Sequence, residues 1–304
     1  MDMSEKISPF LWFDTQAEEA MTFYTSIFDN SRIVYIKRYP VGVPIGPMEG
    51  MEGRVLHGEF ELAGQRFFAL DGGPVFKFNP AISFFVSCTT EAQCDALWEK
   101  LADGGSVLMP LQAHPFSAKF GWLADKYGLS WQLSVGSTGT QKITAFLMFV
   151  GEQHGKAEEA ITFYTSLFKN AAIEHLMRRD AGTNGEAGTV EWAAFQLEGR
   201  AFMASDGGLH HDFAVSSAVS FYVDCESQDE VDYFWDALSA VPEAEQCGWL
   251  QDRFGISWQI VPTILGELMD GPDKEKSDRA MQAMLQMKKL DIAALQRAYE
   301  GQPA

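Results

Sequence analysis

The chain carries one sequence pattern twice. Glu18-Glu19-Ala20-Met21-Thr22-Phe23-Tyr24-Thr25-Ser26-Ile27-Phe28 returns as Glu158-Glu159-Ala160-Ile161-Thr162-Phe163-Tyr164-Thr165-Ser166-Leu167-Phe168. Phe67 to Gly73 returns at Phe202 to Gly208, and Gly121-Trp122-Leu123-Ala124-Asp125 with Gly128 to Gln132 returns at Gly248 to Asp252 with Gly255 to Gln259. Repetition in the same order makes half the chain the unit of fold, large enough to bury a core of its own. The expected organisation is a first domain over residues 1–136, a linker over 137–140, a second domain over 141–264 and a tail over 265–304. The glycine, serine and threonine of the linker favour a flexible connection.

A net charge of −19 across 304 residues argues against nucleic acid or an anionic membrane as partner, since both need a basic footprint. No apolar run is long enough to cross a bilayer, and the first residues lack a basic start followed by an apolar stretch, so a cytoplasmic location is expected. Cys88, Cys94, Cys225 and Cys247 show no Cys-x-x-Cys spacing, and buried reduced thiols are expected.

Apolar spacing predicts helices beginning near Ala20, Cys94 and Val231, with capping boxes at Thr15 and Glu18, Thr90 and Gln93, and Ser227 and Glu230. Alternating runs predict strands before each helix, Ile7 to Phe13, Ile82 to Val86, Ile143 to Phe149 and Val219 to Val223, with further strands after it. Each repeat thus reads as two βαβββ modules. Beyond Pro272 the pattern becomes helical and Met-rich, with Asp291 as a cap and Gly301 as a stop, and this tail is expected to dock on the repeats or on a partner subunit.

These modules, with AEEAxxFYTSxF, FxALDGG or FMASDGG, and GWLxDxxGxSWQ, resemble the PhnB-like branch of the vicinal oxygen chelate, or glyoxalase and bleomycin-resistance, superfamily. That branch bears the label 3-demethylubiquinone-9 3-methyltransferase. The resemblance implies an α+β fold of two tandem glyoxalase-like domains. Each would join two βαβββ modules in a curved mixed sheet, with helices on the convex face and a ligand cavity on the concave one, and a helical tail would follow. The label implies S-adenosylmethionine, but no glycine-rich turn leads from a strand into a helix, so none is expected. Metal-dependent members place His, Glu or Gln ligands on the first and last strands of a module, where Gln132 and Gln259 match the last position.

Strand alternation sorts the faces. Leu129, Trp131 and Leu133 should meet helices, leaving Ser130 and Gln132 on the cavity side, and Ser257 and Gln259 repeat this in the second domain. Ser83 and Phe85 join them, matched by Ser220, Tyr222 and Asp224. From the first strands, Phe10 and Trp12 point inward in repeat one and Phe146 and Met148 in repeat two. Such a mixed aromatic and hydroxylic wall suits a small organic ligand. His57 and Glu59 share one strand face, where they could act as base and orienter or bind a divalent metal with Gln132. Trp192 and Ala194 stand in their places in repeat two, which would restrict catalysis to the first domain. His210 and His211 form a second cluster able to share an ion. Asp71, Asp206, Asp125 and Asp252 read as turn residues.

The expected function is small-molecule binding in the concave cavity of each domain. It takes one of two forms: an enzyme of glyoxalase type, meaning a lyase, isomerase or dioxygenase, or a non-catalytic ligand-sequestering module like bleomycin-resistance proteins. A homodimer is the expected protein partner.

Overall fold

A computed structural model describes residues 5–40, 50–136, 142–182, 185–208 and 211–302. The chain divides into two compact units, residues 9–219 and residues 1–8 with 220–304. The first holds most of β1 (Ile7–Phe13), then α1 (Ala17–Ile27), β2 (Arg32–Arg38), β3 (Val55–Leu62), β4 (Gln65–Asp71), β5 (Ile82–Cys88), α2 (Glu91–Ala102), β6 (Ser106–His114), β7 (Ser117–Ala124) and β8 (Ser130–Val135). It continues with β9 (Ile143–Phe149), α3 (Ala157–Leu167), β10 (Ala172–Arg178), β11 (Val190–Leu197) and β12 (Arg200–Asp206). Strands β1, β4, β3 and β2 lie side by side, and an eight-stranded mixed sheet runs β10-β11-β12-β9-β5-β8-β7-β6.

The fold class is as expected, but the allocation of modules to sheets differs. β5 of the first repeat pairs antiparallel with β9 of the second, Ser83 opposite Phe146 and Phe85 opposite Thr144, so one sheet takes one module from each repeat. The repeat marks the modules without marking partners, because every module begins with an apolar strand of the same kind. Chain continuity then favours neighbours: β9 directly follows β8, which itself pairs with β5. Gln65 reinforces the join from β4, its Nε2 donating to the Ile143 carbonyl at 2.8 Å and its Oε1 accepting the Ile143 N–H at 2.9 Å.

One face of the eight-stranded sheet is packed under helices. Trp131 is fully buried, its ring 5.4 Å from Tyr24 and 5.5 Å from Phe28 at the end of α1, and 5.6 Å from Phe84 of β5. Asp125 organises this junction. Its carboxylate accepts hydrogen bonds from the Tyr24 hydroxyl at 2.7 Å, Trp131 Nε1 at 2.9 Å, and the backbone N–H groups of Tyr127 and Leu129 at 2.9 and 3.0 Å. Asp125 is thus a turn residue, as its spacing suggests, and also the polar anchor of the core.

Helix α1 does not start as its sequence suggests. Thr15 and Glu18 form no capping box; Glu18 instead pairs with Arg38 at 2.8 Å. The first helical N–H, that of Ala17, donates to Asp71 Oδ1 at 2.8 Å, and Asp71 Oδ2 accepts the Val55 N–H at 2.9 Å. Asp206 repeats the arrangement with Ala157 and Val190 and also takes the Gly155 N–H. These two aspartates therefore cap helices and pin the start of the third strand in each module, beyond the turn role read from sequence. A carboxylate from a neighbouring strand serves as well as a local hydroxyl, because the helix end asks only for an acceptor and negative charge. Thr90 and Ser227 do cap as expected, accepting from the N–H groups of Gln93 and Glu230.

The second unit contains β13 (Val219–Cys225) from Ser220 on, α4 (Gln228–Leu238), β14 (Trp249–Gln251), β15 (Ser257–Pro262), α5 (Ile264–Met269), α6 (Lys274–Met284) and α7 (Ile292–Glu300). β13 pairs parallel with β15, and β15 antiparallel with β14. Trp258 copies Trp131, donating to Asp252 Oδ2 at 2.8 Å. The tail docks here: Leu268, Ala280, Leu290 and Leu295 pack with Val261 of β15, and Tyr222, Met284 and Met287 join them. Where repeat one has the nine-residue strand β6, this repeat has a three-residue 3-10 turn, Pro242–Ala244. The tail backbone meets the N–H groups left nearby, the Met287 and Lys288 carbonyls accepting from Cys247 and Gly248 at 2.8 Å. The linker residues 137–140 lie outside the described residues.

Candidate functional site

The face of the eight-stranded sheet turned away from the helices gathers one set of expected residues. Pairing places Gln132 beside Phe85 and Trp122, and Ser130 beside Ser83, which in turn lies opposite Phe146. Gln132 Nε2 donates to Ser83 Oγ at 2.8 Å and Trp122 Nε1 to Ser130 Oγ at 2.7 Å. The amide is therefore oriented from within the sheet, and its carbonyl oxygen accepts no hydrogen bond among the described residues. Met148 is buried in a cluster with Ala81 and Val150, against which Trp122, Phe146, Phe213 and Val215 pack. Trp192 stands further along the same face, opposite Met177 on β10 and stacked at 5.9 Å on His175.

Phe10, Trp12, His57 and Glu59 belong to the four-stranded group. Phe10 is buried, pairs in register with Phe68 and lies 5.4 Å from the His57 ring. His57 meets Tyr35 across the strand pair: the Tyr35 hydroxyl and His57 Nδ1 share a 3.0 Å hydrogen bond, and the two rings stack at 5.9 Å. Glu59 pairs in register with Tyr35 and Phe68. Trp12 is fixed at its rim, Nε1 donating to the Gly73 carbonyl at 2.9 Å and the ring meeting Phe76 at 5.1 Å. Gly72 must be glycine, because a Cβ there would lie 2.1 Å from the Trp12 ring.

In the second unit Ser220, Tyr222, Ser257 and Gln259 share a face, Gln259 Nε2 donating to Ser220 Oγ at 3.0 Å, with Asp224 opposite Val261. The tail cluster packs against Tyr222 and Val261, so part of this face is already covered. Sequence reasoning missed His114, Trp122 and Thr144. Alternation about Leu123 already put Trp122 on the side of Gln132. His114 carried no such signal, because bulges interrupt the pairing of β6 with β7.

Metal chemistry fits this arrangement poorly. No group of three His, Cys, Asp or Glu side chains suited to an ion occurs among the described residues, and around Gln132 the donors are hydroxyls, an amide and aromatic rings. A divalent ion held by protein in this way usually needs several imidazole, thiolate or carboxylate ligands. His211 packs against Phe213 at 5.0 Å, and His210 lies outside the described residues. S-adenosylmethionine fits no better. The turn from β9 into α3 does hold Gly151 and Gly155, but the Asp206 carboxylate takes the Gly155 and Ala157 N–H groups that an anionic cofactor end would need.

Comparison with known proteins agrees with this architecture. The family model described as 3-demethylubiquinone-9 3-methyltransferase matches residues 5–134 and again 141–261. Among solved structures, the PhnB protein of Bacillus cereus is 52% identical over 43% of this chain and 99% of its own, with a TM-score of 0.40. A Staphylococcus aureus protein is 36% identical over 45% of this chain and 100% of its own, at a TM-score of 0.19. A glyoxalase I variant from Zea mays covers 84% of this chain and 94% of its own at 10% identity and a TM-score of 0.50, a likeness of fold alone. None of the curated proteins matches. No helix among the described residues is long and apolar enough to cross a membrane. With two tandem matches spanning most of its length, the chain belongs to the 3-demethylubiquinone-9 3-methyltransferase family.

Proposed function

We propose that the chain binds a small organic molecule on the helix-free face of its eight-stranded sheet. The observation that carries this reading is Gln132: Ser83 holds its amide in one orientation, leaving the carbonyl oxygen open among Phe85, Phe146 and Trp122. A preoriented polar atom among aromatic walls is the usual anatomy of a small-molecule site. Small aromatic fragments are expected to shift the Trp122 indole N–H resonance, assigned through Trp122→Phe. Fragments that bind the chain yet leave that resonance unmoved would refute the location.

A second reading, catalysis on the four-stranded face, is favoured by the Tyr35–His57 hydrogen bond. A histidine oriented by a phenol can pass a proton to or from a bound molecule, the role of a general acid or base in a lyase or isomerase. Loss of turnover in His57→Ala with affinity retained is the expected outcome; turnover surviving in that variant would refute this role of His57, and binding without turnover in the parent chain would leave the sequestering form of the function. Neither reading draws on S-adenosylmethionine.

A further inference from the structure

The six inner strands of the eight-stranded sheet, β11, β12, β9, β5, β8 and β7, contain four charged residues, Lys119, Glu191, Arg200 and Asp206. Register puts all four on the helix side: each is offset by an odd number of positions from Phe120, Ala194 or Met203, which pair along the other face. Contacts agree, since Lys119 reaches Asp95 of α2 and Asp206 caps α3. The helix-free face of those strands is therefore uncharged. At its edge Glu174 of β10 is engaged by the Gln196 side chain. The four-stranded face differs, with Glu59 and His57 on β3 opposite Tyr35 and Lys37 of β2.

Among the polar atoms of the uncharged face, two have no partner among the described residues and bear on what it binds. One is Gln132 Oε1, an acceptor that calls for a donor. The other is His114 Nε2, buried with no partner among the described residues. His114 lies against Phe120 with ring centroids 5.6 Å apart, which puts it at the β6 end of this face, and Phe116, 71% exposed, stacks on it at 5.3 Å. An orphaned buried nitrogen costs free energy until something pairs with it.

Resting on the reading above, we propose that this face selects uncharged hydroxyaromatic molecules, the ring lying against Phe85 and Phe146 and a hydroxyl donating to Gln132 Oε1. A carboxylate or ammonium group would lose its hydration here and meet no opposite charge. A hydroxyl both gives and takes a hydrogen bond, so a second one suits His114 Nε2 whichever ring nitrogen carries the proton.

The test titrates the full chain with 2-naphthol, 2-methoxynaphthalene and 2-naphthoate, which share a ring and differ in donor and charge. 2-Naphthol is expected to bind about tenfold more tightly than either of the others, the worth of one hydrogen bond. Gln132→Leu should bring 2-naphthol down to the level of 2-methoxynaphthalene. Ser83→Ala, which frees the amide to turn, should narrow the same gap if the first variant does not fold. Equal or tighter binding of 2-naphthoate, or a preference for 2-naphthol that survives Gln132→Leu, overturns the proposal. If Phe85→Ala weakens all three ligands while the preference is absent, the ligand class falls and the site stands. If none binds, or Phe85→Ala changes nothing, both fall.

Discussion

Replacing Asp125 by alanine should destabilise the larger unit by about 3 kcal/mol. The carboxylate serves four donors, and three of them, the Tyr24 hydroxyl, Trp131 Nε1 and the Leu129 N–H, belong to residues that are fully buried. Leaving a buried donor unpaired costs about 1–3 kcal/mol, so the gross loss is about 3–9 kcal/mol. Against this stands relief from holding a carboxylate in the core, a penalty of several kcal/mol. Burial does push Asp125 above the usual carboxylate range despite its hydrogen bonds, so that relief is substantial. At a urea dependence of about 3 kcal/mol per molar, the midpoint followed by circular dichroism should fall by about 1 M. Asp125→Asn keeps an oxygen for the Tyr127 and Leu129 N–H groups and should cost about half as much. A loss below about 0.3 M for Asp125→Ala, or an asparagine variant as damaged as the alanine one, would refute the account of this residue as the anchor of the junction.

The same group predicts an unusual pH dependence. Its folded pKa is raised, so the stability it contributes is complete below the ordinary carboxylate value and declines as pH rises through the folded one. The deficit of Asp125→Asn relative to the parent should accordingly shrink as pH rises from the ordinary carboxylate value through the folded one, and urea midpoints that diverge with rising pH would contradict it. Gly72→Ala forces a Cβ to within 2.1 Å of the Trp12 ring. It should cost about 1–3 kcal/mol and shift the Trp12 indole resonance, whereas an unchanged melting temperature would mean that the loop is not held by that ring.

Much of this fold is legible in the sequence because its signals are local. Alternation about Trp131 and Trp258 identifies the buried side of both strands, and it puts Gln132 and Ser83 together on the other side, where the structure joins them by a hydrogen bond. Thr90, Ser227 and Asp291 cap their helices through bonds within a few residues. What failed depends on distance along the chain. Ala17 is served by Asp71, 54 residues away, and no spacing near Thr15 announces it. The Tyr35 partner of His57 lies across a strand pair whose register is shifted by bulges, so no local spacing points to it. His114 stood alone in the sequence, and only the folded hairpin shows its nitrogen buried without a mate.

The antiparallel seam between β5 and β9 bears on how this gene can be dissected. Cutting the chain between the repeats would leave each half with a raw apolar border, Ile82, Phe84 and Val86 on one fragment and Ile143, Ala145 and Leu147 on the other. Such borders recruit strands from other molecules. Fusion of two copies in one polypeptide makes that encounter intramolecular, so its strength does not depend on how much protein a cell contains. Covalent tandem linkage also lets the copies differ, Trp192 and Ala194 of the second standing where the first has His57 and Glu59.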